Sequence, residues 1–201
     1  MKKYKRLLAI DPSLTCSGWA LFDINLKKLL CVGNIKSVDK GVLSEKLLDL
    51  QNKVSILFKA LELSKNDVLI CEEATSIVDP RATLVVEQVR CIFDVLARSF
   101  KACVPGRVNP RTVQYEIMGL KGSQIDRENV KQIARQTVST LYAKELLNIG
   151  FLEKDILKKS NQDIIDAILI GTLALSRIDN ALRTNLSLDE VFTSNYRRRR
   201  C

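Results

Sequence analysis

Histidine is absent from the chain. That gap excludes Ser-His-Asp hydrolases, Cys-His proteases, zinc sites that need an imidazole, and nucleases with a histidine general base. Any catalysis must rest on carboxylates, hydroxyls, lysine or a hard metal ion. Long apolar runs are absent too: Lys, Asp or Glu interrupts every stretch well short of the roughly 18 residues of a membrane span. The basic start MKKYKRLLAID meets Asp11 after a few apolar residues, too soon for a secretory core. A soluble cytoplasmic protein is the expectation. None of the six cysteines, at 16, 31, 71, 91, 103 and 201, forms a Cys-x-x-Cys pair. Most lie in apolar segments such as LLCVG and LICEE and read as small buried hydrophobes rather than as a redox or zinc motif. Neither an internal repeat nor a low-complexity tract is present.

What is there suffices for one globular domain: 201 residues, 46% of them hydrophobic. The formal charge of +9 favours a polyanionic partner. Four of those charges sit in the closing YRRRRC, either a DNA-wrapping arm or a solubilising terminus. The expected division is a body over 1–182 and a C-terminal extension over 183–201.

Three β-like runs open the chain, YKRLLAID, GWALFDI and KLLCVGNIK, separated by turn residues, and read as an antiparallel meander. Leu47, Leu48, Leu50, Val54, Leu57, Phe58 and Leu61 then recur at helical spacing. DVLICEE reads as a fourth strand covered on both faces. The segment ATLVVEQVRCIFDVLARSF reads as a helix and ACVPGRVN as a short fifth strand. Asn109 and Pro110 open a further helix that Gly119 ends. DRENVKQIARQTVSTLYAKELL predicts one long helix capped by Asp126, and DIIDAILIGTLALSRIDNAL predicts the last. A meander followed by strand-helix alternation gives an α/β protein of ribonuclease H-like architecture. Its sheet is mixed and five-stranded, with helices on both faces.

In that arrangement Asp11 ends strand one, and Glu72 and Glu73 end strand four. Asp163 and Asp166 stand three apart on one face of the last helix, about 5–6 Å apart at Cβ. If the strands are neighbours and the helix start faces their ends, four carboxylates meet in one cleft. Clustered carboxylates repel one another. Mg²⁺ or Mn²⁺, which take oxygen ligands, would resolve the conflict. Two ions about 4 Å apart can hydrolyse a phosphodiester without histidine. Each carboxylate also has a plainer reading. Asp11 before Pro12 can begin a turn, the Glu pair can be a solvated strand end, and Asp163 and Asp166 can compensate a helix dipole.

With those residues in place, the chain resembles the RuvC-type Holliday-junction resolvases, in a version of the kind found in phages or Gram-positive bacteria. LLAIDPSLTCSGWALFD resembles the family's first motif. VLICEEATSIVDPRATLVVEQVRCIF resembles the second, and the spacing back from Gln88 and Arg90 selects Glu72 over Glu73. NPRTVQYEIMGLKGSQIDRENV and NQDIIDAILIGTLAL resemble the remaining two. The resemblance implies a homodimer that binds four-way DNA junctions and nicks two opposing strands, with Mg²⁺ or Mn²⁺ held by Asp11, Glu72, Asp163 and Asp166. Ser13 replaces the first motif's usual glycine. Thr75 stands where some relatives carry a base-unstacking aromatic, and Gln114 where a lysine is common.

Candidate DNA contacts are Arg90, Arg111, Gln114, Tyr115, Lys121, Arg127 and Lys131. Between Lys101 and Arg135 lie seven basic and three acidic residues, which predicts salt-dependent binding, although any one of the cations can instead belong to a solvated helix face. Tyr115 can stack on a base or pack within its helix, and Trp19 and the phenylalanines are expected in the core. Three rivals remain: an actin-like or sugar-kinase-like ATPase, for which 201 residues and eight glycines are too few; a catalytically silent junction-binding protein; and a ribonuclease acting on RNA-DNA hybrids.

Overall fold

The computed structural model describes residues 4–38, 40–74, 80–121, 126–151 and 161–192. β1 (Arg6–Asp11), β2 (Cys16–Asp23) and β3 (Lys28–Lys36) form the expected antiparallel meander. α1 (Leu43–Ala60) crosses to β4 (Asp67–Glu72), which pairs parallel to β1. α2 (Pro80–Ser99) leads to the two-residue β5 (Arg107–Val108), parallel to β4. The sheet order is β3-β2-β1-β4-β5, the expected mixed five-stranded sheet.

Alternation in the central strands explains the two-sided cover. Leu7, Ala9, Val68 and Ile70 point to one apolar cluster, where the last long helix packs. Leu8, Ile10, Leu69 and Cys71 point to the other, filled by Leu50, Val54 and Phe58 of α1 and Val89 and Phe93 of α2. Leu48 has helical spacing but is 59% exposed.

Past the sheet come α3 (Pro110–Glu116), α4 (Arg127–Leu141), α5 (Ala143–Asn148), α6 (Gln162–Thr184) and α7 (Leu188–Phe192). Asn109 caps α3 through a bond from the Arg111 amide, with Pro110 at the first position. Asp126 likewise accepts from the Asn129 amide at the start of α4. The single helix expected from Asp126 through Leu147 is two, because the chain bends at Tyr142 (φ −125°, ψ 23°). The bend turns the Tyr142 ring into the core, edge-on to Phe22 at 5.8 Å, with its hydroxyl 2.8 Å from Thr172 Oγ1.

α6 buries an extended face, from Ile164 to Ala181. It runs two residues past the boundary expected at 182, and α7 beyond it buries Val191 and Phe192 against the same cluster. The arginine tail lies outside the described residues. No helix among the described residues is long and apolar enough to cross a membrane. Of the cysteines, Cys71 alone is buried among the described residues; Cys91 is exposed and Cys16, Cys31 and Cys103 are half-buried, so the expectation that they are buried hydrophobes holds fully for one.

Candidate metal centre and nucleic-acid cleft

Parallel pairing of β1 and β4, with Ile10 opposite Cys71, sets the next residues of the two strands, Asp11 and Glu72, side by side. Their carboxyl groups are close enough to share a hydrogen bond. Glu73, one residue on, points the other way and accepts from Asn109 Nδ2 at 3.2 Å. Strand alternation therefore selects Glu72, as the motif spacing does.

The helix joins them through a close approach. Asp11 is paired with Gly18 on β2, and a Cβ at Gly18 would overlap the carbonyl group of Asp163. A glycine there lets the first turn of α6 rest on β2, which brings Asp163 and Asp166 within electrostatic range of Asp11. Ser17 fixes the turn after Asp11: its hydroxyl donates to the Ser13 carbonyl at 2.8 Å and accepts from the Ser13 amide at 3.0 Å. Ser13 is not among the residues with positive φ, so a serine stands at this turn without backbone strain.

Burial and mutual repulsion raise three of these carboxyl groups, Asp11, Glu72 and Asp166. Desolvation raises Asp11 well above the ordinary carboxylate range, and the charges of Glu72, Asp166 and Asp163 push it further in the same direction. Desolvation raises Glu72 to about 7 and Asp166 to about 6, the latter against an opposing bond from Gln162. Cys16 lies against Asp163, and burial followed by that contact lifts its thiol to about 11. Among the described residues no lysine or arginine forms an ion pair with any of the four carboxylates. Nor, among the described residues, does any group of three such side chains close into a metal-holding arrangement. The four are neighbours around a cleft rather than a finished cage. Their donor set is all carboxylate oxygen, half-buried and short of positive charge, and it fits Mg²⁺ or Mn²⁺ in chemistry.

The cleft beside them, about 180 Å³, is bounded by Glu72 and Asp166 on one side and by Gln114 of α3 and Arg127 and Lys131 of α4 on the other. Lys131 is near enough to Asp166 to favour its ionised form. Arg111 and Lys121 are exposed, and Tyr115, 55% exposed, is not a packed core residue.

Arg90, expected as a DNA contact, stands in a cluster of ion pairs. Its guanidinium is bonded to Glu87, 3.0 and 2.6 Å away, and to Asp94, leaving the side chain only 12% exposed. Glu87 also takes Arg107 at 3.1 Å, so Arg90 belongs to an ion-pair network that ties α2 to β5. Thr75, the position expected to unstack a base, lies outside the described residues.

The sequence reading missed four residues at the site: Gly18, Cys16, Gln162 and Arg135. A glycine inside a strand signals a close approach, and Gln162 stands four residues before Asp166 on a helix. Nothing in the sequence pairs Arg135 with either.

Sheet order, helix placement and a carboxylate cleft at the strand ends define the ribonuclease H-like class. Within it, the chain has the fold of the RuvC resolvases. Thermus thermophilus RuvC in complex with a Holliday junction substrate superposes with a TM-score of 0.60 at 17% identity, over 90% of this chain and 96% of that one. The Thermus thermophilus RuvC structure gives 0.61 at 17% identity over the same shares. No protein-family model matches the sequence, and no curated protein matches it.

Proposed function

We propose that the protein is a metal-dependent, structure-selective DNA endonuclease that resolves four-way junctions, and other branched DNA, by paired nicks. The observation that carries this is the meeting of Asp11, Glu72, Asp163 and Asp166, drawn from two strands and a helix, with no paired cation among the described residues. These four would hold Mg²⁺ or Mn²⁺, which supply an activated water and offset charge on the scissile phosphate and the leaving 3′ oxygen.

The remaining work falls to the chain's own groups. Lys131 and Arg127, beside the carboxylates, bind phosphates of the strand to be cut, and exposed Arg111 and Lys121 extend that contact along the backbone. Gln114 offers an amide to the same strand, a neutral donor where lysine is common in the RuvC family. Tyr115 stacks on a base exposed at the branch. Thr75 stands where some RuvC relatives carry a base-unstacking aromatic, and its small side chain offers little stacking surface. Paired nicks need two sites related by a twofold axis, and a homodimer supplies them. On α2, Leu84 (65% exposed) and Val95 (66%) are two exposed apolar side chains that such a partner can cover. The protein works in the cytoplasm, that of the bacterial host if a phage encodes it.

The test uses purified protein on a labelled four-way junction, a Y-fork and an RNA-DNA hybrid duplex, with Mg²⁺ or Mn²⁺ and then with EDTA. Symmetric nicking of the junction that EDTA abolishes is expected. Cleavage of the hybrid alone transfers the reading to a ribonuclease, and junction binding without metal-dependent cleavage makes the protein a silent binder.

A further inference from the structure

Arg135 is a buried cation on the inner face of α4, 8% exposed, and among the described residues it has no carboxylate partner. Its Nη1 instead donates to Oε1 of Gln162 at 2.9 Å, and Nε2 of Gln162 donates to Oδ1 of Asp166 at 2.9 Å. Gln162 is itself buried, 9% exposed, so both halves of its amide are spent inside the protein.

Chemistry fixes the sense of this chain. A guanidinium has donors and no acceptor, so the amide oxygen of Gln162 must face Arg135. The NH₂ must then face Asp166, where only an acceptor oxygen can receive it. One oxygen of Asp166 is pinned in this way, while Oδ2 accepts no hydrogen bond among the described residues.

We propose that Arg135 and Gln162 are positioning residues that act in series, Arg135 orienting the Gln162 amide and Gln162 holding Asp166 with one oxygen tied and the other presented to a divalent cation. The arrangement rests on the metal-holding role proposed for Asp166. A plain brace between α4 and α6 would use the same bonds but would leave cation affinity untouched. Outer partners of a ligating carboxylate govern that affinity by about 10- to 100-fold.

The experiment measures Mn²⁺ binding to the full chain without DNA, from the loss of the free-ion electron paramagnetic resonance signal, alongside thermal melting. It compares wild type, Asp166→Asn, Gln162→Met, Arg135→Met, Arg135→Lys and the double Gln162→Met/Arg135→Met. Gln162→Met keeps length and apolar volume and carries the test should Arg135→Met fail to fold. Expected are a weakening of about 10- to 100-fold in Gln162→Met, partial recovery in Arg135→Lys relative to Arg135→Met, and a double variant no weaker than the weaker single one. A folded Gln162→Met that binds Mn²⁺ as wild type does, while Asp166→Asn does not, overturns the series arrangement alone. Singles whose losses add in the double overturn it as well. A wild type that binds no Mn²⁺ removes the metal centre and this inference together.

Discussion

Glu72 and Glu73 are adjacent in sequence and opposite in role, which makes them the sharpest test at the level of single residues. Glu72 faces Asp11 across the parallel pair, while Glu73 accepts from the cap residue of α3. Glu72→Gln should abolish nicking or cut it by at least about a hundred-fold, the upper end of what outer partners of a metal site contribute, and Asp163→Asn should do the same while still binding junctions. Glu73→Gln keeps an acceptor for Asn109 and should nick within about a factor of three of wild type, since it leaves stability within roughly 0.5 kcal/mol. Single-turnover cleavage and gel-shift titration on one labelled junction read both quantities. An inactive Glu73→Gln beside an active Glu72→Gln would reverse the assignment. The choice between these glutamates was legible in the sequence from the motif spacing back from Gln88 and Arg90, and alternation of side chains along β4 gives it a physical reason. The ion pairs of Arg90 were legible too, since Glu87 and Asp94 stand three residues before it and four after, a spacing at which helix ion pairs form, but reading Arg90 as a DNA contact passes over them. Arg135 and Gln162 were not legible, since 27 residues separate them and their bond exists only once α4 and α6 have packed.

Elements bring the carboxylates together, and the tightest junction lies between β2 and the first turn of α6. Gly18 allows that approach, since any side chain there meets the Asp163 backbone, which cannot swing aside as the tip of a flexible side chain could. Gly18→Ala should therefore destabilise the protein by about 1–3 kcal/mol, the range for overpacking a close contact. It should also weaken Mn²⁺ binding, because relief comes by lifting the start of α6 off the sheet. Urea unfolding and ion titration of the same variant measure the two effects; full stability with native Mn²⁺ affinity would mean that α6 is not held by this approach. Most elements were legible because each carries its own signal, short apolar runs bounded by turn residues for β1 through β4, and the Asn109-Pro110 and Asp126 caps for α3 and α4. The bend at Tyr142 carries no such signal: the helical pattern continues through it. What ends α4 is the pull of a buried ring toward Phe22 and a hydroxyl toward Thr172, both contacts with distant elements. The burial of α7 was hidden in the same way, since Leu186, Leu188, Val191 and Phe192, scattered through a polar stretch, say nothing about the surface waiting for two of them.

For the whole molecule, the cleft acts as a stored repulsion whose size depends on pH. In the unfolded chain, aspartate and glutamate titrate near 4; folded, Asp166 titrates at about 6, Glu72 at about 7 and Asp11 higher than its ordinary range. Between those limits the folded state binds more protons than the unfolded state, so stability must fall as pH rises. The contribution of these protons is complete below about pH 4 and is lost as pH climbs through 6 and 7. Among the ion-paired carboxylates, Glu87 is held below its ordinary range, against its burial, by Arg90 and Arg107, whereas burial raises Asp94 despite Arg90, so the share that belongs to the cleft is read from a variant of the cleft itself. A divalent ion needs the ionised forms and competes with the same protons, so its stabilising effect must grow as theirs disappears. Melting temperature in EDTA should accordingly decline from pH 5.5 to 8, and millimolar Mg²⁺ should raise it more at pH 8 than at pH 6. Removing two of the repelling charges in the double variant Glu72→Gln/Asp166→Asn should flatten the EDTA profile and cancel the Mg²⁺ gain. A gain from Mg²⁺ that is the same at every pH, or that survives in the double variant, would place the ion elsewhere on this basic protein, and the cleft would then have to bear its charges without a metal.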